Sequence, residues 1–143
     1  MNLIKILIII WELPQTLLAC IIIVFIKGKI VKRQTFRNVN IFYVKDFPGG
    51  ISLGRFIILD KRYSNNELTI RHEYGHTIQS IYLGWFYLLI IGIPSITRII
   101  IWRLLKLDSP IYYKGYPENW ADKLGFIEEE RKKRVLQKNK KLI

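Results

Sequence analysis

Two histidines and a glutamate lie close together in the sequence, in an order and spacing that can bind a metal ion. They belong to an H-E-x-x-H segment formed by His72, Glu73 and His76, and these are the only two histidines of the chain. Residues four positions apart share one face of a helix, so both imidazoles can reach a single Zn²⁺. Glu73 lies beside them and can take a proton from a bound water. The pattern therefore predicts a zinc site that hydrolyses a bond.

A hydrolytic zinc site needs a third protein ligand and one position left open for water. Glu118 and Asp122 are also four residues apart, in the segment E-N-W-A-D, and Pro117 precedes them at a position suited to the first turn of a helix. We expect Glu118 to be the third ligand. Asp122, one turn later, is expected to accept the free ring N–H of a ligating histidine and so support the ligand set.

The two motifs together resemble those of a known group of enzymes. H-E-x-x-H followed by E-x-x-A-D-x-x-G is similar to the gluzincin metallopeptidases, most of all their membrane-bound CaaX-processing and heat-shock-type endopeptidases, and more distantly the membrane peptidases of β-lactam sensors. Segments 11–15 and 92–95 also resemble small bacterial membrane proteins with an H-E-x-x-H motif. The resemblance implies that His72, His76 and Glu118 bind zinc, that Glu73 is general base and acid, and that Asp122 supports the ligands.

Hydrolysis also needs a group that stabilises the oxyanion formed at the scissile carbonyl. Tyr112, Tyr113 and Tyr116 stand shortly before the third ligand, and Arg71 directly precedes the H-E-x-x-H segment. Any of these four is a candidate. The alternative for the tyrosines is that they anchor the chain at a membrane border.

A β-hairpin is predicted before the H-E-x-x-H segment. Val39 to Val44 and Ile51 to Leu59 are rich in β-branched and aromatic residues, and the turn signal F-P-G-G separates them. In gluzincins an edge strand lies above the zinc helix and pairs with an extended substrate. Residues 51–59 are the candidate for that role, by resemblance and by the physics of strand addition, or else they only pack on the helix.

The H-E-x-x-H segment itself is predicted to lie on a helix with recognisable ends. Asn65 or Asn66 can accept hydrogen bonds from the first free amides of a helix that begins near Glu67. Gly84 is suited to end the same helix. The prediction places both histidines in the interior of a helix of about four to five turns.

Composition favours a single folded domain with a membrane partner. The chain has 143 residues, half of them hydrophobic, and 23 Lys and Arg against 11 Asp and Glu give a net charge of +12. These values exclude intrinsic disorder. The single cysteine, Cys20, cannot form an internal disulfide, which excludes a cross-linked secreted scaffold. A basic chain could bind nucleic acid, but the sequence contains no module that recognises it. Nucleic acid is therefore not expected as a partner.

The N-terminal apolar segment predicts membrane association. Residues 3–26 contain only Lys5 and Glu12 as charged residues, and as a helix they would span about 36 Å, against about 30 Å for a hydrocarbon core. Glu12 and Pro14 interrupt this segment near its middle. Glu12 is therefore expected to face protein, water or a polar cavity. The alternative is a pair of buried helices in a soluble protein, broken at Pro14.

A second apolar segment, residues 81–105, is interrupted by Gly92-Ile93-Pro94 and is predicted to be a bent, re-entrant or surface-lying helical hairpin. A full crossing would put the third ligand on the opposite side of the membrane from the histidines. Arg98, Arg103 and Lys106 could reach lipid phosphate groups.

Basic residues follow the first apolar segment, and this excess favours the cytoplasmic side: Lys27, Lys29, Lys32, Arg33 and Arg37. The last 13 residues, 131–143, hold seven Lys or Arg and no acid, which is typical of a solvated tail.

The sequence thus predicts an α+β, minimal zincin-like fold with a short β-hairpin, a zinc-binding helix, a ligand helix and one or two membrane-associated segments. Residues 1–143 form one domain, with a membrane segment at 3–26, a catalytic region at 38–126 and a charged tail at 127–143. The expected function is zinc-dependent hydrolysis of a peptide or membrane-protein segment, at the cytoplasmic face of a bacterial inner membrane and in contact with lipid. The alternatives are zinc hydrolysis of a non-peptide bond and a non-catalytic membrane adaptor or interaction protein with a basic lipid-binding tail.

Overall fold

The computed structural model of the chain describes residues 3–106, 109–127, 129–133 and 137. These residues form a mixed α+β fold, as the sequence predicts. The four strands and the helices that matter for the site have the following bounds: α1 Leu3–Trp11, α2 Leu13–Ile26, β1 Ile30–Phe36, β2 Val39–Val44, β3 Gly50–Leu53, β4 Phe56–Asp60, α3 Glu67–Leu83, α4 Ile93–Leu104, α5 Ser109–Lys114 and α6 Glu118–Leu124.

The N-terminal apolar segment is divided into two helices at Glu12. Pro14 lies in the first turn of α2, where its missing N–H costs nothing. The Glu12 side chain is buried and accepts a hydrogen bond from the Ser80 hydroxyl of α3 at 2.6 Å, so it faces protein, as predicted. Across the described residues, each helix falls short of the length or the apolar character required to pass through a bilayer.

The described strands form one four-stranded sheet in the order β1-β2-β4-β3. β1 pairs antiparallel with β2, β2 runs parallel to β4, and β3 pairs antiparallel with β4. The predicted hairpin of residues 39–44 with residues 51–59 is therefore wrong. Gly54 adopts a φ of 58°, which favours glycine, and it turns residues 51–59 back on themselves as two strands.

Strand β1 was not predicted, because its basic residues resemble those that flank a membrane segment. In the structure, several of these cations lie over aromatic rings of the sheet. Lys32 is 5.3 Å from the centre of the Tyr43 ring, and Arg33 is 5.5 Å from that of Phe42. The long basic side chains thus cover apolar surface of the sheet while their charged ends remain at its border.

Helix α3 has the ends that the sequence predicts. The Asn66 side chain accepts a hydrogen bond from the backbone N–H of Thr69 at 3.2 Å, and the first helical residue is Glu67. The helix ends before Gly84, whose φ of 52° reverses the chain direction. One side of α3 packs on the sheet, where Ile70 joins a core of β2 and β4 residues that includes Ile41 and Ile57.

The second apolar segment does not form a hairpin at Gly92. Residues 87–104 are helical throughout, with a π-helical turn at Leu88–Gly92 leading into α4. A π turn absorbs the hydrogen-bond mismatch that Pro94 would otherwise create, so the helix continues where a break was expected. Two of the cations expected to reach lipid make contacts within the protein: Arg98 donates to the Tyr112 carbonyl and Arg103 to the Pro48 carbonyl, both at 2.7 Å.

Helix α6 packs closely against α3. A side chain on Gly75 of α3 would overlap the backbone carbonyl of Ala121, and one on Gly125 would overlap the carbonyl of Arg71. Glycine at these two positions lets the backbones approach each other. Ile127, the first residue of the predicted charged tail 127–143, is fully buried, and its backbone N–H donates to the Asp122 carbonyl of α6 at 3.0 Å. Most of residues 134–143 lie outside the described residues.

Candidate metal centre

The two histidines of α3 face the same buried space. His72 and His76 are 5% and 6% exposed, and their rings meet edge to face with centres 4.9 Å apart. This arrangement follows from the four-residue spacing on an α-helix, which places both side chains on one face.

Glu118, the first residue of α6, completes a cluster with the two rings. Its carboxylate oxygen Oε2 lies 3.0 Å from Nε2 of His72 and 3.2 Å from Nε2 of His76. We call His72, His76 and Glu118 the ligand cluster. These three buried side chains could hold a metal ion, since their ligand atoms all lie within 4.8 Å of one another.

Each histidine ring is oriented by a hydrogen bond of its Nδ1 atom, the nitrogen that does not face Glu118. Nδ1 of His72 is 2.6 Å from Oδ1 of Asp122, and Nδ1 of His76 is 2.7 Å from Oε1 of Gln79. Both partners are acceptors, because the Gln79 amide nitrogen donates to the Pro117 carbonyl at 3.2 Å. The Nδ1 atoms are therefore the donors of these contacts, and each Nε2 faces Glu118, where a metal cation could take the place of a proton.

The carboxylates of the site have fixed partners of their own. Arg131 donates two hydrogen bonds to Asp122, one of them at 2.8 Å, so this residue of the predicted tail is part of the site. Ser95 of α4 donates to Oε1 of Glu118 at 2.6 Å. One oxygen of Glu118 is thus committed to Ser95, while the other faces both histidines, which favours coordination of a metal through a single oxygen.

The metal-free cluster binds a proton tightly. Burial alone would lower the pKa of His72, but its hydrogen bonds with Asp122 and Glu118 outweigh burial and raise that pKa to about 9. Burial alone would raise the pKa of Glu118, but hydrogen bonds from His72 and His76 lower it well below its ordinary range. A buried carboxylate that stays ionised attracts positive charge, and a proton or a metal cation can supply it.

Glu73 lies beside the ligand cluster and is 8% exposed. It lines a cavity of about 330 Å³ together with the three ligand-cluster residues and the edge strand β3. Ser52 of β3 donates a hydrogen bond to Oε2 of Glu73 at 2.7 Å. Of the segment 51–59 that was predicted as an edge strand, only the β3 part lies at the sheet edge, whereas β4 is an inner strand.

The four candidates for oxyanion stabilisation separate into two pairs. Tyr112 and Tyr113 line the cavity, and the Tyr113 ring packs edge to face on His72 with centres 5.1 Å apart. Tyr116 is 48% exposed and donates to the Ile90 carbonyl at 2.8 Å. Arg71 points to the end of α6, where it donates to the carbonyls of Gly125 and Phe126. The structure thus brings the first two to the cavity and directs the last two elsewhere.

Four supporting residues were missed in the sequence, and Arg131, which was predicted only as part of the tail, is one of them. Gln79 is three positions after His76 and shares its helical face, so the helix prediction alone could have suggested it. Ser52 and Ser95 reach the site from a strand and from a helix that are distant in sequence, and no local pattern indicates either contact.

Comparisons with models of known protein families, with curated proteins and with solved structures found no match to this chain.

Proposed function

We propose that this chain is a zinc-dependent peptidase that acts at or near a membrane. One observation carries the proposal: two imidazole nitrogens of α3 face the same carboxylate oxygen of Glu118, at 3.0 and 3.2 Å. In the sequence 41 residues separate His76 from Glu118, so this convergence depends on tertiary packing and not on local structure. Together with the H-E-x-x-H spacing, it gives three ligands of the kind that catalytic zinc sites use.

The donor set favours zinc among the common metals. Imidazole nitrogen suits zinc, copper, iron and nickel, whereas magnesium and calcium prefer sites made of oxygen alone. Two histidines with one carboxylate are a catalytic zinc set that leaves a position for water. When bound, zinc would lower the pKa of a coordinated water to about 7 and polarise the carbonyl of the bond to be cleaved.

The chain's own residues then provide proton transfer and electrostatic support. Glu73 faces the cavity and is the group that takes a proton from the attacking water and returns it to the leaving amine. Tyr113 and Tyr112 are the candidates for stabilising the oxyanion, because both line the same cavity. Asp122 and Gln79 hold the rings in the tautomer that a cation requires.

The substrate we propose is an extended peptide segment that adds to β3. This strand lies at the edge of the sheet and borders the cavity beside Glu73. A peptide paired with a sheet edge gains main-chain hydrogen bonds whatever its sequence, which suits a peptidase. We propose a minimal zincin-like architecture because the fold combines a sheet with α3, which carries the two histidines, and α6, which carries Glu118.

The location at a membrane is supported by the distribution of apolar and charged side chains. Among the described residues, all but three of the exposed large apolar side chains belong to residues 3–26 or 81–105. Residues 13–45 and 74–107 contain no Asp or Glu, and they hold six and three Lys or Arg. Exposed apolar surface with only positive charge around it fits anionic lipid. We propose the cytoplasmic face of a bacterial inner membrane.

Replacement of Glu73 by glutamine tests the proposed reaction. The variant should bind zinc as the unaltered protein does and lose at least about 100-fold in peptide hydrolysis, because general acid–base catalysis contributes on that scale. Glu67→Gln is the matched control, since Glu67 lies on the same helix and its side chain is 79% exposed. Equal hydrolysis by the Glu73→Gln variant would exclude Glu73 as the general base. Absence of hydrolysis by the zinc-loaded unaltered protein would contradict the peptidase and favour the adaptor. Cleavage of lipid esters instead of peptides would favour a non-peptide substrate.

Sedimentation with lipid vesicles tests the location. The protein should bind phosphatidylglycerol vesicles more tightly than phosphatidylcholine vesicles, and less tightly as salt is raised. Phe25→Asp should weaken binding several-fold, because Phe25 is 84% exposed at the end of α2. Phe126→Asp is the control, since Phe126 is 72% exposed but lies outside both apolar segments. Equal effects of the two substitutions would contradict this membrane-binding surface.

A further inference from the structure

The edge strand β3 contacts the carboxylate of Glu73 at two positions. Ser52 is buried, and its hydroxyl lies 2.7 Å from Oε2 of Glu73 and 3.0 Å from the backbone carbonyl oxygen of the same residue. Two residues earlier, Gly50 lies against the other carboxylate oxygen, and a Cβ added there would overlap Oε1. Alternate residues of a strand face the same side, so Gly50 and Ser52 form one surface around Glu73.

The position of Ser52 is fixed from a second direction. The hydroxyl of Tyr87 donates to the backbone carbonyl of Ser52 at 2.8 Å, and Tyr87 is itself buried. Ser52 therefore has its backbone held by the helical segment after Gly84, while its side chain holds Glu73 of α3. A hydrogen bond between two buried, constrained groups limits the rotamers available to the carboxylate.

The Ser52 hydroxyl has one hydrogen and faces two acceptors of the same residue, the carboxylate oxygen Oε2 and the backbone carbonyl oxygen of Glu73. The shorter contact, 2.7 Å, joins the hydroxyl to the carboxylate. Ser52 thus fixes one carboxylate oxygen, while Gly50 borders the other.

We propose that Ser52 is a positioning residue for Glu73: its hydroxyl holds the carboxylate toward the ligand cluster, and Gly50 leaves the space that this orientation requires. The inference rests on the proposed peptidase function. It gives β3 a second role besides pairing with substrate, because the strand that receives the peptide also orients the base that acts on it. The contact itself exists whether or not the protein hydrolyses peptides, so it can be examined separately from activity.

Kinetics of zinc-loaded variants test the role in catalysis. Ser52→Ala should lower kcat about 10- to 100-fold with KM changed less than about threefold, because the base is misplaced while the substrate edge remains. Ser52→Thr keeps the hydroxyl and should retain kcat within about fivefold. Ile58→Val, on the neighbouring strand β4 and outside the lining of the cavity, is the control for sheet integrity. Zinc content should be equal in all four proteins. A Ser52→Ala variant with unchanged kcat, or one whose loss appears only in KM, would overturn the proposal.

Carbon-13 NMR of the glutamate carboxyl groups provides a readout that does not need activity. The Glu73 resonance, assigned with the Glu73→Gln variant, should shift in zinc-loaded Ser52→Ala and stay in place in Ile58→Val. An unchanged resonance in Ser52→Ala would overturn the contact. Zinc-loaded unaltered protein that cleaves no peptide would refute the proposed function, and the positioning role with it. Active unaltered protein beside an equally active Ser52→Ala would refute only the role of Ser52.

Discussion

Helix α3 takes part in two clusters of buried polar side chains. The two clusters differ in which hydrogen-bond donors and acceptors they bring together. The ligand cluster lies against α6. The second cluster, which we call the Glu12 cluster, consists of Glu12, Gln15 and Ser80 and lies against the N-terminal helices. In it, Ser80 donates to Glu12 at 2.6 Å, and the Gln15 amide nitrogen donates to Ser80 and to the Gly84 carbonyl, both at 3.0 Å. The Gln15 amide oxygen has no hydrogen-bond partner among the described residues.

The ligand cluster, in contrast, collects acceptors. Two imidazole nitrogens and one carboxylate oxygen face one point, and the residues behind them, Asp122 and Gln79, are acceptors as well. Such a group favours a cation at its centre, whereas the Glu12 cluster holds one carboxylate and no imidazole, so among the described residues it offers no set of metal ligands that meet at one point. Buried polar side chains therefore indicate a metal site when lone pairs converge in excess of donors, and burial alone does not distinguish the two clusters.

Matched amide substitutions in the two clusters should give the largest contrast. Glu118→Gln should weaken zinc binding by more than about 100-fold, since the loss of a group that only supports a ligand already costs about 10- to 100-fold. Glu12→Gln keeps an acceptor for Ser80 and should leave zinc affinity unchanged. Titration with a competing zinc indicator measures both. Comparable losses in the two variants would mean that the clusters are not functionally distinct.

A side chain added between α3 and α6 should disturb the ligand cluster, which lies between these helices, and not the Glu12 cluster. Gly75→Ala puts a methyl group onto the Ala121 carbonyl, and overpacking of this kind costs about 1–3 kcal/mol, more than the roughly 1 kcal/mol that alanine gains over glycine within a helix. Both thermal stability and zinc affinity should fall. Gly28→Ala is the control, because nothing lies within 4 Å of a Cβ at that position. A Gly75→Ala protein with unaltered zinc affinity would contradict the importance of this close approach.

The two buried glutamines should separate metal affinity from stability. Gln79→Ala should lower zinc affinity about 10- to 100-fold, because His76 loses the acceptor that orients its ring. Gln15→Ala should leave zinc affinity unchanged and lower the free energy of unfolding by about 1–3 kcal/mol, because buried hydrogen-bonding groups lose their partner. Calorimetric zinc titration and urea unfolding of both variants make the comparison. A fall in zinc affinity for Gln15→Ala would show that the clusters are coupled.

The pH dependence of stability should reveal the excess of acceptors in the ligand cluster. The pKa of His72 is raised to about 9 from an ordinary value of 6.5, so its contribution to stability is fully present below pH 6.5 and is lost as pH rises through about 9. The melting temperature of chelator-treated protein should fall over that range. Zinc replaces the proton, so the fall should be smaller in zinc-loaded protein. Equal profiles with and without chelator would contradict this account.

Features set by neighbouring residues were predictable from the sequence. The ends of α3 follow from the Asn66 cap and from Gly84, and the four-residue spacing puts His72 and His76 on one face. The spacing of Glu118 and Asp122, one helical turn apart, likewise agrees with the short helix α6 that carries both.

Features set by long-range packing were not predictable. Strand character in residues 39–44 and 51–59 was recognisable, but which strands pair depends on Gly54 and on the unrecognised β1. A hydrophobic pattern indicates which face of a strand is buried, but it does not indicate which strand lies next to it in the sheet. The π turn before Pro94 involves neighbouring residues only, but one of them, Ile91, is buried in the core beside α2. That packing partner is distant in sequence, so no local pattern indicates it.

X-ray absorption at the zinc edge, on purified protein loaded with one equivalent of zinc, tests the central claim most directly. The account predicts one zinc per chain, with nitrogen and oxygen ligands at about 2.0–2.1 Å, two of them imidazoles. It also predicts that the imidazole signal is reduced in His72→Ala and in His76→Ala and is absent when both histidines are replaced. Failure to retain zinc, or an imidazole signal that survives both substitutions, would contradict the account.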